Sequence, residues 1–273
     1  MKTWGFANEI RQQPIHLARA ALYLARDIAY PELDVDWYLE LLHGLATAVL
    51  PRLISPAFIH TNAITLAQFL FEERGYRGNA AAYGDPRNSF LNDVVERGLG
   101  IPITLSVLYA DVAQRLDIPA YGVGLPGHFI VAVGHDETKL LLDPFHNGRQ
   151  LTLPDCARLV QYATGYDGPF QQEWLAPTPA SDILVRMLNN LRIAYLKQES
   201  WAKATAVIQN LILLQPDTPE HLRDLGLIHY ENNAPHLAAH YLDAYLQRVP
   251  DAADADAIRH GVRPALDRWA RGN

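Results

Sequence analysis

Apolar residues recur with helical spacing over the first 75 positions. Between Pro14 and about Tyr30 they stand at Ile15, Leu17, Ala18, Ala21, Leu22, Leu24, Ala25 and Ile28, and Pro31 ends the pattern. Asp34 or Asp36 is placed to cap a second helix carrying Trp37, Leu41, Leu42, Leu45 and Leu50, which Pro51 terminates. Ile64, Leu66, Phe69 and Leu70 predict a third helix from about Asn62 to Glu73, before Gly75. Such stripes are core faces rather than cofactor sites, so residues 1–75 read as a helical N-terminal region. Gly75 to Asn88, rich in Gly, Asn, Asp and Pro, reads as a loop.

The pattern then changes. Asp93 to Glu96 predicts a short helix closed near Gly98, and a longer one begins beside Pro102, whose missing N–H costs nothing in a first turn. That helix carries Leu105, Val107, Leu108, Val112, Ala113 and Leu116, apolar over so wide a face that it must lie buried against a sheet. Three strand-like runs follow, Ala120 to Val123, Phe129 to Val133 and Lys139 to Leu142, the last two joined as a hairpin by the turn at 134–138. A helix followed by a small antiparallel sheet makes residues 76–165 an α+β unit in a mostly helical chain. Tyr162 to Pro179 has the composition of a linker.

The last third, residues 180–273, repeats. Pro216 and Pro250 are related by the same step as Leu191 and Leu225, Ala204 and Ala238, Ile208 and Leu242, and Leu211 and Tyr245. This step is the period of tetratricopeptide repeats, about 34 residues, in which a small residue lets two antiparallel helices pack closely. Gly226 supplies a second small position, where the first repeat has Arg192. Two such helical hairpins and a terminal helix, Ala252 to Ala270, fill the segment. With the frame starting at Val185 and Pro219, Arg186, Asn189, Arg223 and Tyr230 fall on the concave side, and the two guanidiniums suit an acidic peptide partner.

Composition narrows the function classes. Against 30 acidic residues stand 23 basic ones, a formal net charge of −7 with no basic run, which argues against nucleic acid as a partner. A chain of 273 residues with one cysteine, Cys156, has no internal disulfide framework and no structural zinc cluster. The amino terminus lacks a signal core, and no stretch approaches the roughly 18 apolar residues of a membrane span. A protein of the reducing cytoplasm, with no membrane association, is the expectation.

The blocks ANEI, LARAALYLARDIAYPELDVDWYL, FLFEERGYRGN, DPRNSFLNDVVERGLGIPITLSVLY, GVGLPGHFIV and LLLDPFHNGRQLT resemble the bacterial SirB-type family, a transglutaminase-like core joined to tetratricopeptide repeats. The resemblance covers nearly the whole chain. It implies a papain-like core and no established reaction. Within such a core His128 would be the general base and Asp143 the group that holds its tautomer, on adjacent strands and within hydrogen-bonding reach.

A Cys–His–Asp site also needs a thiol at the start of the central helix, where the helix dipole and the imidazole stabilise the thiolate. Matching Leu116-Asp117-Ile118-Pro119 to the leucine-glycine-isoleucine-proline of active transglutaminases puts that position near Pro102, and no cysteine is there. Cys156 follows both His128 and Asp143, the wrong order for this fold. The leading expectation is therefore a degenerate, non-catalytic core coupled to a module that binds a protein partner. The alternative is an amide-bond hydrolase or acyltransferase using Thr104 or Ser106, the hydroxyls of the first turns, with His128 and Asp143.

Asn88 and Asn92 could donate to a substrate carbonyl, or serve as an N-cap and a loop-fixing amide. His146 could complete a two-histidine, one-carboxylate metal site with His128 and Asp143. Nothing in the spacing demands a metal, and no cofactor is expected.

Overall fold

The computed structural model describes residues 4–134 and 138–261, so the centre of the turn at 134–138 and the end of the expected terminal helix lie outside the described residues. The chain divides into two compact units, Met1–Met187 and Leu188–Asn273.

In the first unit, α1 (Phe6–Glu9) precedes α2 (Leu17–Ile28), whose cap is His16: its Nδ1 accepts from Arg19 N at 3.3 Å. Asp34 caps α3 (Val35–Val49), accepting from Trp37 N at 3.1 Å, and of the two candidates it was the one with the right spacing to an N3 amide. The third helix starts earlier than its apolar stripe, as α4 (Ile59–Ala67), and continues as a wider π-helical turn at Gln68–Glu73. α2 and α3 pack on the central helix, so the N-terminal helices share a unit with the sheet and do not stand apart from it.

The Gly75–Asn88 segment is more ordered than a loop. It holds β1 (Arg77–Gly78), which pairs in parallel with β2 (Leu99–Gly100) across α5 (Leu91–Arg97), and a 3-10 turn at Pro86–Ser89. α6 (Pro102–Gln114) is buried at every residue from Pro102 to Ala113. It packs on β3 (Ala120–Val123) and β4 (Ile130–Val133), which with β5 (Leu140–Asp143) and β6 (Arg149–Leu151) make an antiparallel sheet in the order β3-β4-β5-β6.

Alternation along β4 sends Ile130 and Ala132 into one apolar cluster, with Leu141, Leu151, Cys156 and Val160, and leaves Val131 and Val133 for the opposite face. The first cluster is covered by α7 (Leu153–Thr164), closed by a Thr152–Asp155 capping box. The expected linker is part of this packing: Phe170, Trp174 and the buried Leu175 lie against the same cluster. Its Gly, Gln and Pro content disguised three apolar anchors.

α8 (Ala180–Lys197) begins in the first unit and ends in the second, where α9 (Trp201–Leu214), α10 (Glu220–Glu231), α11 (Pro235–Arg248) and α12 (Ala255–Gly261) follow. The small positions of the repeat behave as the pattern requires. Ala204 and Ala238 are fully buried, and a Cβ on Gly226 would lie 2.5 Å from Leu242 Cγ, so α10 and α11 approach closely only because that residue is glycine. Arg192, the departure from the small position, reaches α10 and pairs with Asp224 at 2.9 Å. It links α8 to α10, the first helices of successive repeats.

Candidate functional site

Asp143 is the last residue of β5, and His128 stands in the turn that leads into the neighbouring β4. That turn depends on Gly127, which has φ +72° and whose Cβ position would lie 2.5 Å from Ala163 Cβ; a side chain is refused on both counts. The imidazole is thereby delivered to the sheet edge, where His128 Nε2 meets Asp143 Oδ1 at 3.2 Å. With Nε2–H as donor to the carboxylate, Nδ1 is the basic nitrogen, the arrangement a general base requires.

The carboxylate is held from four sides. After β5 the chain makes a 3-10 turn, Pro144–His146, in which the N–H groups of Phe145 and His146 donate to Asp143 Oδ1 at 3.1 and 3.4 Å. His146 Nδ1 meets Oδ2 at 2.6 Å. Asp143 itself is fully buried, whereas the side chain of His128 is 10% exposed and that of His146 50%. Burial pushes the Asp143 carboxyl up, but the hydrogen bonds and charge of His128 and His146 outweigh it and hold the carboxyl below the ordinary carboxylate range. One ligand atom from each of His128, Asp143 and His146 lies within 4.8 Å of the others, so the three residues that could hold a metal come together here.

A further brace comes from α8. The Arg186 guanidinium donates to the carbonyls of Leu125 at 3.2 Å and His128 at 3.0 Å, and lies over the Phe129 ring at 5.1 Å. This corrects the placement of Arg186 on a concave repeat surface: its charge is spent inside the first unit, fixing the turn that carries His128. Arg223 is likewise engaged, by Asp224 and by Asp254, each at 3.1 Å. Asn189 is partly buried and Tyr230 is exposed.

The hydroxyls of α6 are poorly disposed for nucleophilic work. Ser106 Oγ donates back to the Pro102 carbonyl at 2.8 Å and is buried. Thr104 is fully buried, and its Oγ1 has no hydrogen-bond partner among the described residues. Cys156 sits in the apolar cluster under α7, where burial first, and then the charges of Asp155 and Asp143, push its thiol up to about 11. A thiol so placed is neither ionised nor accessible at neutral pH.

The two asparagines serve the scaffold. Asn88, fully buried, donates to the Ala82 carbonyl at 2.7 Å and accepts from Asn79 Nδ2 at 3.0 Å, pinning the 79–83 loop. It fixes a loop where an N-cap was expected. Asn92 lies on α5 beside Tyr38, whose hydroxyl it hydrogen-bonds, in a polar cluster where Tyr38 also bonds Glu96 and Tyr30 bonds Asp93. Neither Asn79 nor the bracing role of Arg186 was read from the sequence: Arg186 braces a turn far along the chain, and Asn79 meets Asn88 across an irregular loop that shows no period.

A buried central helix, an antiparallel sheet and a His–Asp pair at the end of two adjacent strands define a transglutaminase-like core. The chain belongs to the transglutaminase-like superfamily, whose family model matches residues 36–189, and a tetratricopeptide repeat model matches residues 191–263. Among curated proteins, it is similar to a UPF0162 protein of Xylella fastidiosa strain 9a5c, 35% identical over 94% of this chain and 92% of that protein. A UPF0162 protein of Vibrio cholerae is 26% identical over 91% of this chain and 92% of the relative. Among solved structures, a crystal structure of menin covers 93% of this chain and 66% of its own with a TM-score of 0.43 and 14% identity, too distant a likeness to bear on function.

Proposed function

We propose that the protein works by binding a protein partner and that its transglutaminase-like unit is a non-catalytic scaffold. The observation that carries the reading is the state of the central helix. At the position where acyl-transfer chemistry needs a thiolate stand Pro102, Ile103 and a sealed Thr104, while Ser106 is hydrogen-bonded to its own helix. The hydrolase alternative would need one of these hydroxyls to leave its buried position and meet both a base and a substrate.

The repeats supply the binding side of the proposal. Ile193 and Leu227 occupy equivalent positions of successive repeats and are 63% and 41% exposed; Leu196 and Tyr230 are a second such pair, also exposed. Repeated exposure of large apolar side chains on α8 and α10 suits the apolar face of a partner segment. With the guanidiniums of Arg186 and Arg223 both engaged within the chain, an acidic peptide has fewer charges to meet than the sequence suggests. The partner is better described as an amphipathic segment, with apolar anchors for this stripe.

A photo-crosslinking amino acid at Leu227, compared with one at the exposed Tyr162 of α7, tests the reading in cells. Discrete adducts are expected from position 227 and not from 162, and Ile193→Asp should abolish them without lowering the melting temperature. Equal adducts from both positions, or adducts indifferent to Ile193→Asp, would reject the repeat stripe as the binding surface.

A further inference from the structure

We infer that His128, Asp143 and His146 form a binding site for a divalent transition-metal ion of the zinc class. The inference is independent of partner binding by the repeats. It starts from His146, which a Cys–His–Asp relay does not use. Such a relay needs one imidazole and one carboxylate, yet here a second imidazole is directed onto the same buried Asp143, Nδ1 to Oδ2 at 2.6 Å. The turn Pro144–His146 makes this possible, because a 3-10 helix brings residues three apart onto one side.

Geometry favours chelation. At metal–ligand distances near 2.1 Å, neighbouring ligand atoms stand roughly 3.0–3.4 Å apart. The His128 Nε2 to Asp143 Oδ1 spacing is already 3.2 Å, and no spacing among the three ligand atoms exceeds 4.8 Å. Bringing the 4.8 Å bound to that ligand spacing is a contraction of about 1.4–1.8 Å, which rotation of the half-exposed His146 can provide.

The surroundings also fit. Ligating carboxylates are oriented by hydrogen bonds from outside the coordination sphere, and Asp143 receives them from the N–H groups of Phe145 and His146. His128 is fixed through its own carbonyl by Arg186. Two imidazoles and one carboxylate select borderline ions such as Zn2+, Co2+ or Ni2+ over Mg2+ and Ca2+, which prefer all-oxygen sites. Three protein ligands, one of them half exposed, leave a coordination position facing solvent.

The test uses the full-length, tag-free protein, stripped with chelator and titrated with Co2+ while visible absorption is recorded, then with Zn2+ by calorimetry. The expected result is one equivalent of Co2+ with ligand-field bands, displaced by Zn2+, while Mg2+ at a hundredfold higher concentration has no effect. His146→Ala, at a half-exposed position that should leave the fold intact, should weaken Zn2+ binding at least tenfold. Since Asp143→Asn risks misfolding, protection of His128 and His146 from diethyl pyrocarbonate by Zn2+, read by peptide mass, serves as the second measurement. Absence of ligand-field bands in the wild type, binding unchanged in His146→Ala, or modification of both histidines unaffected by Zn2+ would overturn the assignment.

Discussion

Replacing Arg186 with Met separates a structural strut from a partner-binding residue. The guanidinium makes two hydrogen bonds, to the carbonyls of Leu125 and His128, and stacks on Phe129. Hydrogen bonds from a charged donor are worth about 1.5–3 kcal/mol each; without the guanidinium the Leu125 carbonyl keeps the His128 N–H, while the His128 carbonyl loses its donor at a comparable cost. Against this stands relief from burying a charge, a cost visible in the lowered pKa that desolvation gives Arg186.

The balance is a net loss of about 3 kcal/mol, within the range for breaking a buried polar network. For a unit of nearly two hundred residues, that corresponds to roughly 6–12 °C in melting temperature. Differential scanning calorimetry of the full chain should show the first unit's transition fall by that amount, and the His128 imidazole resonances should move as its turn relaxes. A melting temperature within about 1 °C of wild type, with unmoved His128 signals, would refute the strut.

Three other outcomes follow from the same geometry. Cys156, with its thiol pushed up to about 11 and buried, should react with a thiol reagent at pH 7.5 at least a hundredfold more slowly in the native protein than in urea; comparable rates would contradict its placement. Asp143 has a lowered folded pKa, so its contribution to stability is complete above the ordinary carboxylate range and is lost as pH falls through the folded value; chemical denaturation in chelator should show Asp143→Asn destabilised at pH 7 and the gap to wild type narrowing below about pH 4. A gap independent of pH would mean the carboxylate is not charged in the folded state. Gly226→Ala places a methyl group against Leu242 and should cost the second unit about 1–3 kcal/mol, read as a lower melting transition of that unit, and an unchanged transition would deny the close approach of α10 and α11.

Much of the core was legible because its signals are local. The wide apolar face of α6, Pro102 at its start, and the short apolar runs at Ala120–Val123 and Phe129–Val133 each report on a buried helix or strand without reference to anything distant. The pairing of His128 with Asp143 was implied by the resemblance to a transglutaminase-like core, and the structure places the two side chains 3.2 Å apart.

What escaped depends on contacts far apart in sequence or on elements too short to show a period. β6 has three residues, β1 and β2 two each, and none can display alternation. Phe170, Trp174 and Leu175 are spaced like nothing regular, so only the fold reveals that they seal the sheet. Arg186 was misplaced for a subtler reason: the 34-residue frame gives a position within a repeat, but α8 straddles two units, and its first half answers to the turn at Leu125–His128. The convergence of His146 on Asp143 was one option the sequence raised and did not demand, because the residues Asp143-Pro144-Phe145-His146 leave the turn type open.

The central claim, that the transglutaminase-like unit carries no working nucleophile, is tested most directly by intact-mass and peptide analysis after exposure of the full-length protein to a fluorophosphonate and, separately, to an electrophilic glutamine analogue. The account predicts no adduct on Thr104, Ser106 or Cys156 in the folded protein, with or without the His128→Ala substitution. A stoichiometric adduct on any of the three that disappears in His128→Ala would contradict it and restore the core as an enzyme.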